Sequence, residues 1–324
     1  MSEGGAPDAL LAEATAGSRR ALGRLITIAE SGGPSADALD RAMVGRPGPG
    51  WIVGIVGAPG VGKSTLTGRL AAGAAGGRRA EGAPRVAVIA VDPSSPLTGG
   101  AILGDRIRMQ GLGDPRDVFV RSMAHRGAAG GLAGAVPIAV RVLGAVGVEV
   151  VIVETVGVGQ IELEIIHVAD TVIAALSAGW GDAIQASKAG LLEVADLLVV
   201  NKADRHGAAD AVRDLEQMLD AGTATALGPD ETWRPPVLTT VATAGTGVAE
   251  LWTAATAHRA WLIATDRLAR RRDDRRRHEI GRRAIDILAH EVDQRVAALG
   301  PTAAAATPEE AARRVVRQVR AGGD

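Results

Sequence analysis

Seven short runs of apolar, mostly β-branched residues follow one another between residues 51 and 241. Several are apolar along their whole length, which is typical of strands buried on both faces of a mostly parallel sheet. Helical segments and Gly-rich turns separate these runs. This alternation predicts a doubly wound α/β sheet whose ligand site lies beyond the carboxyl ends of the strands. The predicted strands are residues 51–56, 85–91, 118–123, 148–154, 171–176, 196–201 and 237–241.

Helical patterns flank this region on both sides. Apolar residues recur at helical spacing over 8–31, and a shorter helix is predicted at 35–44, after the segment SGGPS. From residue 263 the sequence is highly charged and helical in pattern, and a last helix is predicted at 308–320. Because such a tail buries little by itself, we expect it to pack on a second subunit. The predicted domains are an N-terminal helical extension (1–48), an α/β domain (49–262) and a C-terminal helical arm (263–324).

Composition narrows the class of protein. Hydrophobic residues make up 47% of the 324 residues but aromatic residues only 2%, so the core must be aliphatic. A net charge of −1 gives no electrostatic reason to expect nucleic acid or a membrane as the main partner. The lack of cysteine excludes disulfides and thiolate metal sites. The N-terminus lacks a signal-peptide pattern, and no apolar run approaches the roughly 18 residues that cross a bilayer, so we expect a cytoplasmic protein.

The segment GAPGVGKS (57–64) matches the phosphate-loop pattern G-x-x-x-x-G-K-[ST] between a predicted strand and a predicted helix. Its glycines allow backbone N–H groups to surround phosphate oxygens, and the helix N-terminus adds partial positive charge. We expect Lys63 to reach the β- and γ-phosphates and the Ser64 hydroxyl to bind Mg²⁺. Lys63 is one of only three lysines in the chain, which argues against a chance Gly-rich turn. The predicted nucleotide contacts here are Gly57, Pro59, Gly60, Val61, Gly62, Lys63, Ser64 and Thr65.

The tetrapeptide NKAD (201–204) contains the only asparagine of the chain and a second rare lysine. The Asp204 carboxylate can accept hydrogen bonds from the ring N–H and the exocyclic amine of guanine, a donor pair that adenine lacks. Losing charge-assisted bonds of about 1.5–3 kcal/mol each disfavours ATP by roughly 10²- to 10⁴-fold. We expect Asn201 to tie the base to the phosphate loop and the Lys202 stem to lie along the base. The motif therefore predicts a guanine site.

Acidic residues at other strand ends are candidate Mg²⁺ ligands. Glu154 ends a predicted strand before a Gly-containing segment, and Asp92 and Asp105 lie in and after another strand end. Turn chemistry is the alternative interpretation for both aspartates. Gln160 is a candidate for orienting the attacking water, whereas His125 is interpreted as a surface residue because no second His or Cys stands near it.

The segments GAPGVGKST, AVDPSSPLTGGAILGDRIRM, VETVGVGQ, GDAIQASKAG and VNKAD occur in this order and together resemble the MeaB/ArgK/MMAA family of P-loop GTPases. Members of this family are chaperones of adenosylcobalamin-dependent acyl-CoA mutases. The resemblance spans about 50–262 and implies a P-loop GTPase fold, with a helical extension before it and a dimerisation arm after it. It implies that GTP binding and hydrolysis gate adenosylcobalamin delivery to a mutase such as methylmalonyl-CoA mutase, and protect or reactivate it.

The resemblance also assigns roles to residues. The segment that would relay the nucleotide state to the mutase contains Asp182, Gln185 and Lys188. The last base-contacting loop corresponds to Val241, Ala242 and Thr243, with Val241 where the family usually has Ser. Ala178 likewise replaces a usual Pro before the relay segment. The residues matching the Mg²⁺ and γ-phosphate-sensing positions are Ser64, Asp92, Asp105 and Glu154, and the expected catalytic residues are Lys63, Asp105 and Glu154.

Three other functions are weighed against this one. A kinase or ATPase that acts on a transport protein predicts ATP preference, at odds with Asn201 and Asp204. A GTPase chaperone for nickel enzymes predicts a His/Cys-rich segment, but the chain has 6 His and no Cys. A nucleic-acid module through the Arg-rich run 267–277 is disfavoured by the interleaved Asp273 and Asp274. Because the sequence identifies no catalytic arginine, we expect slow intrinsic GTP turnover that a partner raises.

Overall fold

The computed structural model describes residues 5–76, 85–93, 117–125, 134–155, 164–178, 190, 192–223, 233–299 and 307–321. Within these residues, seven strands form one sheet in the order β3-β2-β4-β1-β5-β6-β7, and every neighbouring pair is parallel. Each predicted strand is present, so the predicted parallel sheet is confirmed. The strands are β1 (Trp51–Val56), β2 (Val86–Pro93), β3 (Val118–His125), β4 (Val150–Thr155), β5 (Thr171–Ser177), β6 (Leu197–Asn201) and β7 (Val237–Thr240).

Helices cover both faces of the sheet, which confirms the doubly wound architecture. Along β1, Ile52 and Val56 join a core with the N-terminal helices, while Val53 and Ile55 join a second core on the opposite face. This alternation follows from the twofold side-chain period of a strand. The helices are α1 (Gly5–Thr15), α2 (Arg19–Ser31), α3 (Gly33–Ala42), α4 (Lys63–Ala75), α5 (Ala135–Ala145), α6 (Ala208–Thr223), α7 (Val248–Ala264), α8 (Arg267–Ala297) and α9 (Pro308–Ala321).

Residues 8–31 form two helices rather than the single helical stretch that their spacing predicts. The break follows from local capping, because Ala21 N donates to Ser18 Oγ at 3.2 Å and starts α2 there. Apolar residues of α2, including Leu22 and Leu25, lie in the same core as α5 and the sheet. An ion pair of 2.6 Å between Arg141 and Asp40 also joins α5 to α3.

The chain divides into two compact units, Met1–Arg272 and Asp273–Asp324, with α8 crossing the division. The domain limits that the sequence suggests at 48 and 262 remain predictions. In the second unit, α9 starts at a capping box in which Glu310 N donates to Thr307 Oγ1 and Thr307 N donates to Glu310 Oε2. The Thr307 backbone N–H and hydroxyl both donate to Glu310 Oε2 and lower the pKa of that carboxyl group. Across the described part of the chain, every helix is too short or too polar to span a membrane.

Candidate nucleotide site

The strand order places the candidate site at the carboxyl ends of the central strands. β1 lies between β4 and β5. The strands that follow β1 in the sequence first occupy one side of it (β2, β3 and β4) and then the other side (β5, β6 and β7), so the strand order reverses direction next to β1. In open α/β sheets, ligands bind in the crevice beyond the carboxyl ends of strands at such a switch point. The phosphate-loop segment leaves β1 at this crevice, and NKAD leaves β6 at the same edge.

The phosphate loop runs from Gly57 to Gly62 between β1 and α4, and two of its glycines are sterically required. Gly57 has a φ of 139° and Gly62 a φ of 96°, values that other residues rarely adopt. A Cβ atom at Gly57 would lie 2.1 Å from the Ala175 carbonyl oxygen, and one at Gly62 would lie 2.5 Å from Asn201 Nδ2. The loop therefore approaches β5 and β6 too closely for side chains at these positions.

Lys63 is the first residue of α4, and its side chain is buried against the loop. Its Nζ donates hydrogen bonds to the carbonyl oxygens of Gly57 and Ala58, the latter at 3.0 Å. The ammonium thus lies beside the N-terminus of α4, where the helix dipole already carries partial positive charge. Together they form a strongly anion-attracting position.

Ser64 and Glu154 meet across the gap between α4 and β4. Ser64 Oγ donates to Glu154 Oε1 at 2.7 Å, and Glu154 is 1% exposed. Asp92 follows on the neighbouring strand β2, because Ala90 pairs with Glu154 in the parallel register. The backbone of Asp92 therefore lies at the same edge of the sheet, although its side chain is outside the described part of the chain.

Several predicted residues lie outside the described residues. Among them are the metal candidate Asp105, the candidate water-orienting Gln160 and the proposed relay residues Asp182, Gln185 and Lys188. The structure places none of these five. The backbone of His125 closes β3, and its side chain is likewise outside the described part.

Asn201 connects three segments of the site. Its Nδ2 donates to the Val61 carbonyl of the phosphate loop at 2.9 Å. Its Oδ1 accepts from Thr240 Oγ1 at 3.0 Å and from Ala242 N at 3.1 Å. Asn201 is almost fully buried, so these bonds are shielded from competing water. The asparagine thus holds the phosphate loop, β6 and the chain after β7 in one arrangement.

Lys202 spans the distance from β6 to the phosphate loop. Its backbone has a φ of 59°, and its Nζ donates to the Gly60 carbonyl at 2.6 Å. The aliphatic stem therefore bridges the end of β6 and the phosphate loop. Two residues later, the Asp204 side chain is exposed and accessible to a ligand.

Residues 241–246 form a closed turn after β7, called here the 241–246 loop. Val241 N donates to the Thr246 carbonyl at 3.0 Å, and Ala242 is buried beneath the turn. Arg69 of α4, which sequence reasoning missed, donates from Nε to the Ala242 carbonyl at 3.1 Å and from Nη2 to the Thr243 carbonyl at 2.7 Å. The sequence signal is slight: Arg69 is the only charged residue of α4 besides Lys63.

Comparison with known proteins identifies the family. A family profile described as "Methylmalonyl Co-A mutase-associated GTPase MeaB" matches residues 22–297. The chain belongs to the MeaB family of GTPases. The predicted family is confirmed, and with it guanine nucleotide binding and GTP hydrolysis.

Two relatives of this MeaB-family chain are themselves named as GTPases. The GTPase ArgK of Escherichia coli is 37% identical over 78% of this chain and 76% of that protein. A Mycobacterium tuberculosis protein named as a probable GTPase is 41% identical over 82% of this chain and 79% of its own length. A fused isobutyryl-CoA mutase of Cupriavidus metallidurans is 37% identical over 63% of this chain, which corresponds to 18% of the fused protein. The crystal structure of a protein named LAO/AO transport system kinase superposes with a TM-score of 0.67 at 27% identity, covering 97% of both chains.

A second polar cluster of this MeaB-family GTPase lies at the opposite, amino-terminal edge of the sheet. Asp170 Oδ2 accepts from Ile52 N at 2.9 Å and from Arg272 Nη2 at 2.8 Å. Asp196 Oδ2 accepts from Val172 N and from Arg271 Nη1, both at 2.8 Å. Each aspartate therefore fixes the start of a neighbouring strand and binds an arginine of α8.

His258 of α7 is buried in the same cluster. Its Nδ1 lies 3.0 Å from Thr171 Oγ1, and its Nε2 lies 3.3 Å from Asp196 Oδ1. Burial lowers the His258 pKa to about 4, since desolvation outweighs the attraction of Asp196. Strongly shifted pKa values often mark active sites, but ion-pair networks shift them too. The cluster lies at the edge of the sheet opposite the phosphate loop, and its ion pairs and hydrogen bonds join α8 to the starts of the strands.

Proposed function

We propose that this GTPase gates the delivery of adenosylcobalamin to an acyl-CoA mutase, and protects or reactivates that mutase, through GTP binding and hydrolysis at the crevice. The family description names methylmalonyl-CoA mutase, and a relative is fused to isobutyryl-CoA mutase; both support a mutase partner. The observation that carries the site is the Asn201 side chain, which bonds the phosphate loop and the 241–246 loop at once. One buried amide thereby fixes the distance between the phosphate-binding and base-binding segments.

The phosphate loop would hold the triphosphate by its amides, by the N-terminus of α4 and by the Lys63 ammonium. Phosphoryl transfer requires mainly positioning and charge neutralisation from a protein, and these groups supply both. Lys63, Asp105 and Glu154 are the proposed catalytic residues. Without an identified catalytic arginine, intrinsic turnover is slow and a partner protein raises it. The proposed contacts are Gly57, Pro59, Gly60, Val61, Gly62, Lys63, Ser64 and Thr65.

The donor set at Ser64 and Glu154 fits Mg²⁺. A hydroxyl and a carboxylate 2.7 Å apart offer the hard oxygen ligands that this ion prefers. Asp92, at the end of the adjacent strand, and Asp105 complete the proposed set. When bound, the ion would neutralise charge on the β- and γ-phosphates. Helix α4 positions Ser64 and strand β4 positions Glu154, so the fold holds the two side chains next to each other.

Guanine recognition is assigned to Asp204, with the Lys202 stem along the base. The exposed Asp204 carboxylate is free to accept from the ring N–H and the exocyclic amine of guanine. Val241, Ala242 and Thr243 would contact the base through their backbone, because the valine offers no hydroxyl. This arrangement favours guanine over adenine nucleotides.

Coupling to the mutase is assigned to Asp182, Gln185 and Lys188, which follow the carboxyl end of β5 in the sequence. The proposal also includes a homodimer and a cytoplasmic location. In support of the dimer, four apolar residues of the highly charged helix α8 are more than half exposed: Ile280, Ile285, Ile287 and Leu288. A second subunit would remove them from water.

An Asp204→Asn variant tests both the guanine assignment and the proposed mutase partner. The asparagine amide matches the ring N–H and the C2 carbonyl of xanthine, so calorimetry with Mg²⁺ should show that XDP replaces GDP as the preferred ligand. In assays that follow inactivation of methylmalonyl-CoA mutase or isobutyryl-CoA mutase, the variant should protect with XTP and wild type with GTP. Asp210→Asn, which changes another exposed aspartate on the nearby helix α6, should behave as wild type.

Two results would contradict this assignment. Equal binding of GDP and ADP by wild type would remove the guanine site and favour a kinase or ATPase, the activity for which the structural neighbour is named. Selective GDP binding with no effect on either mutase would keep the guanine site but remove the proposed partner.

A further inference from the structure

The backbone amides of the 241–246 loop are nearly all engaged within the chain. Val241 N donates to the Thr246 carbonyl, and Ala242 N donates to Asn201 Oδ1. Ala244 N and Gly245 N both donate to the Val241 carbonyl, at 3.0 and 2.9 Å. Among the amides of residues 241–245, the Thr243 N–H alone has no acceptor in the described part of the chain. Thr243 is exposed, so this N–H is open to solvent and to a ligand.

Arg69 fixes the direction of that donor. The Ala242 carbonyl and the Thr243 N–H belong to one peptide unit, which is planar and trans, so they point in opposite directions. Arg69 Nε holds the Ala242 carbonyl at 3.1 Å and thereby turns the Thr243 N–H away from α4. Arg69 Nη2 holds the next carbonyl, that of Thr243, at 2.7 Å. The planar guanidinium thus fixes two consecutive peptide units, which a lysine cannot do with a single charged nitrogen.

The loop and the guanine motif lie side by side. Ala203 N donates to the Thr240 carbonyl at 3.0 Å. The segment after β6, which carries Asp204, is therefore in contact with the end of β7, from which the segment that carries Thr243 begins. Guanine presents its exocyclic amine, its ring N–H and its O6 carbonyl in a row along one edge. A carboxylate that binds the first two leaves O6 for a donor on the neighbouring segment.

We propose that Arg69 is a positioning residue for purine recognition, which aims the Thr243 N–H at guanine O6 by holding the Ala242 and Thr243 carbonyls. This inference rests on the proposed guanine site. It gives α4 a role at both ends of the nucleotide: Lys63 serves the phosphates at the start of the helix, and Arg69 orients the base contact two turns later.

The test compares GDP with 6-thioguanosine diphosphate, which retains the ring N–H and the amine but replaces O6 by a poorer acceptor. Wild type should bind GDP roughly two- to tenfold more tightly, the effect of one neutral hydrogen bond. Arg69→Met should weaken GDP binding by a similar factor and leave the thio analogue nearly unchanged, so that the ratio approaches one. Arg69→Lys should retain part of the preference. Arg259→Met is the matched control, because Arg259 donates to the Gly50 carbonyl at the opposite edge of the sheet.

The outcomes separate this inference from the proposed function. Equal losses for both ligands in Arg69→Met would show a merely structural role and overturn the inference. A wild type that prefers GDP over ADP but not over the thio analogue would also overturn it, with the guanine site intact. A wild type that binds GDP and ADP equally would overturn the guanine site itself. Thermal unfolding of each variant reports whether it is folded, and if Arg69→Met is not, a ratio unchanged in Arg69→Lys overturns the inference.

Discussion

Acidification should destabilise this protein through the buried His258. The imidazole is fully buried, and its pKa is lowered to about 4 from the ordinary 6.5. Between these two values the unfolded chain binds a proton that the folded chain excludes, so stability falls as pH falls. The stability that depends on the neutral form of His258 is fully present above pH 6.5. From the two pKa values, the loss is about 2 kcal/mol between pH 7.5 and pH 5, and about 3 kcal/mol by pH 4.

The groups that face His258 explain why the neutral form prevails. Asp196 lies 3.3 Å away and favours a proton on the ring, but its carboxylate is already bound by both terminal nitrogens of Arg271. The Arg271 charge opposes protonation, and the more distant Asp170 favours it slightly. The Thr171 hydroxyl accepts from Trp51 Nε1 at 3.0 Å, and its own proton remains for His258 Nδ1. This bond fits a neutral imidazole.

His258→Gln isolates the effect, because glutamine can bond Thr171 without titrating. Urea unfolding at each pH, followed by tryptophan fluorescence, reports on this cluster, since the Trp233 and Trp261 rings lie 4.8 and 5.7 Å from the imidazole. The stability difference between wild type and His258→Gln should shrink by about 2 kcal/mol from pH 7.5 to pH 5. His206→Gln, which removes an exposed imidazole, should follow wild type. A difference that stays constant over this range would refute the assignment of a neutral buried histidine.

Two further predictions concern the opposite edges of the sheet. Gly62→Ala should weaken GDP binding by more than about tenfold and lower the free energy of unfolding by about 1–3 kcal/mol, because a Cβ at this position meets Asn201. The control is Gly60→Ala: Gly60 has a φ of 78°, but a Cβ there has nothing within 4 Å, so this variant should show the effect of backbone strain alone. Equal effects on binding would refute the close approach. Asp170→Asn should cost about 3 kcal/mol in urea unfolding, because it leaves Arg272 without a buried carboxylate; Asp273→Asn, in an exposed pair with Arg277, should cost at most about 0.5 kcal/mol. Similar costs would contradict the buried anchor.

The sheet could be predicted because its strands are apolar on both faces, a pattern that few other structures produce. The NKAD and phosphate-loop segments could be placed at one edge because parallel strands carry their carboxyl ends together. The break between α1 and α2 was less visible. It depends on the Ser18 cap, whereas the apolar spacing continues through it.

The contacts that sequence reasoning missed are those between residues distant in the chain. Arg69 and Ala242 are 173 positions apart, and only the packed sheet brings them together. The amino-edge cluster had a weak signal, since Val-Ala-Asp directly precedes both β5 and β6. In the structure, Asp170 binds the Ile52 amide of β1 and Asp196 binds the Val172 amide of β5, so the repeated tripeptide marks one device used twice. Nothing in a linear pattern indicates that two arginines of α8 complete it.

Helix α7 gives these two edges a physical connection. It starts immediately after the 241–246 loop at the carboxyl edge and carries His258 and Trp261 to the amino edge. Because the His258 ring is fixed by Thr171 and enclosed by tryptophans, the far end of α7 is held in place. The 241–246 loop is therefore built between an anchored helix and the Arg69 guanidinium. In the base contact proposed above, a loop held from both sides would lose little conformational entropy, which would favour recognition by its backbone amides over recognition by a flexible side chain.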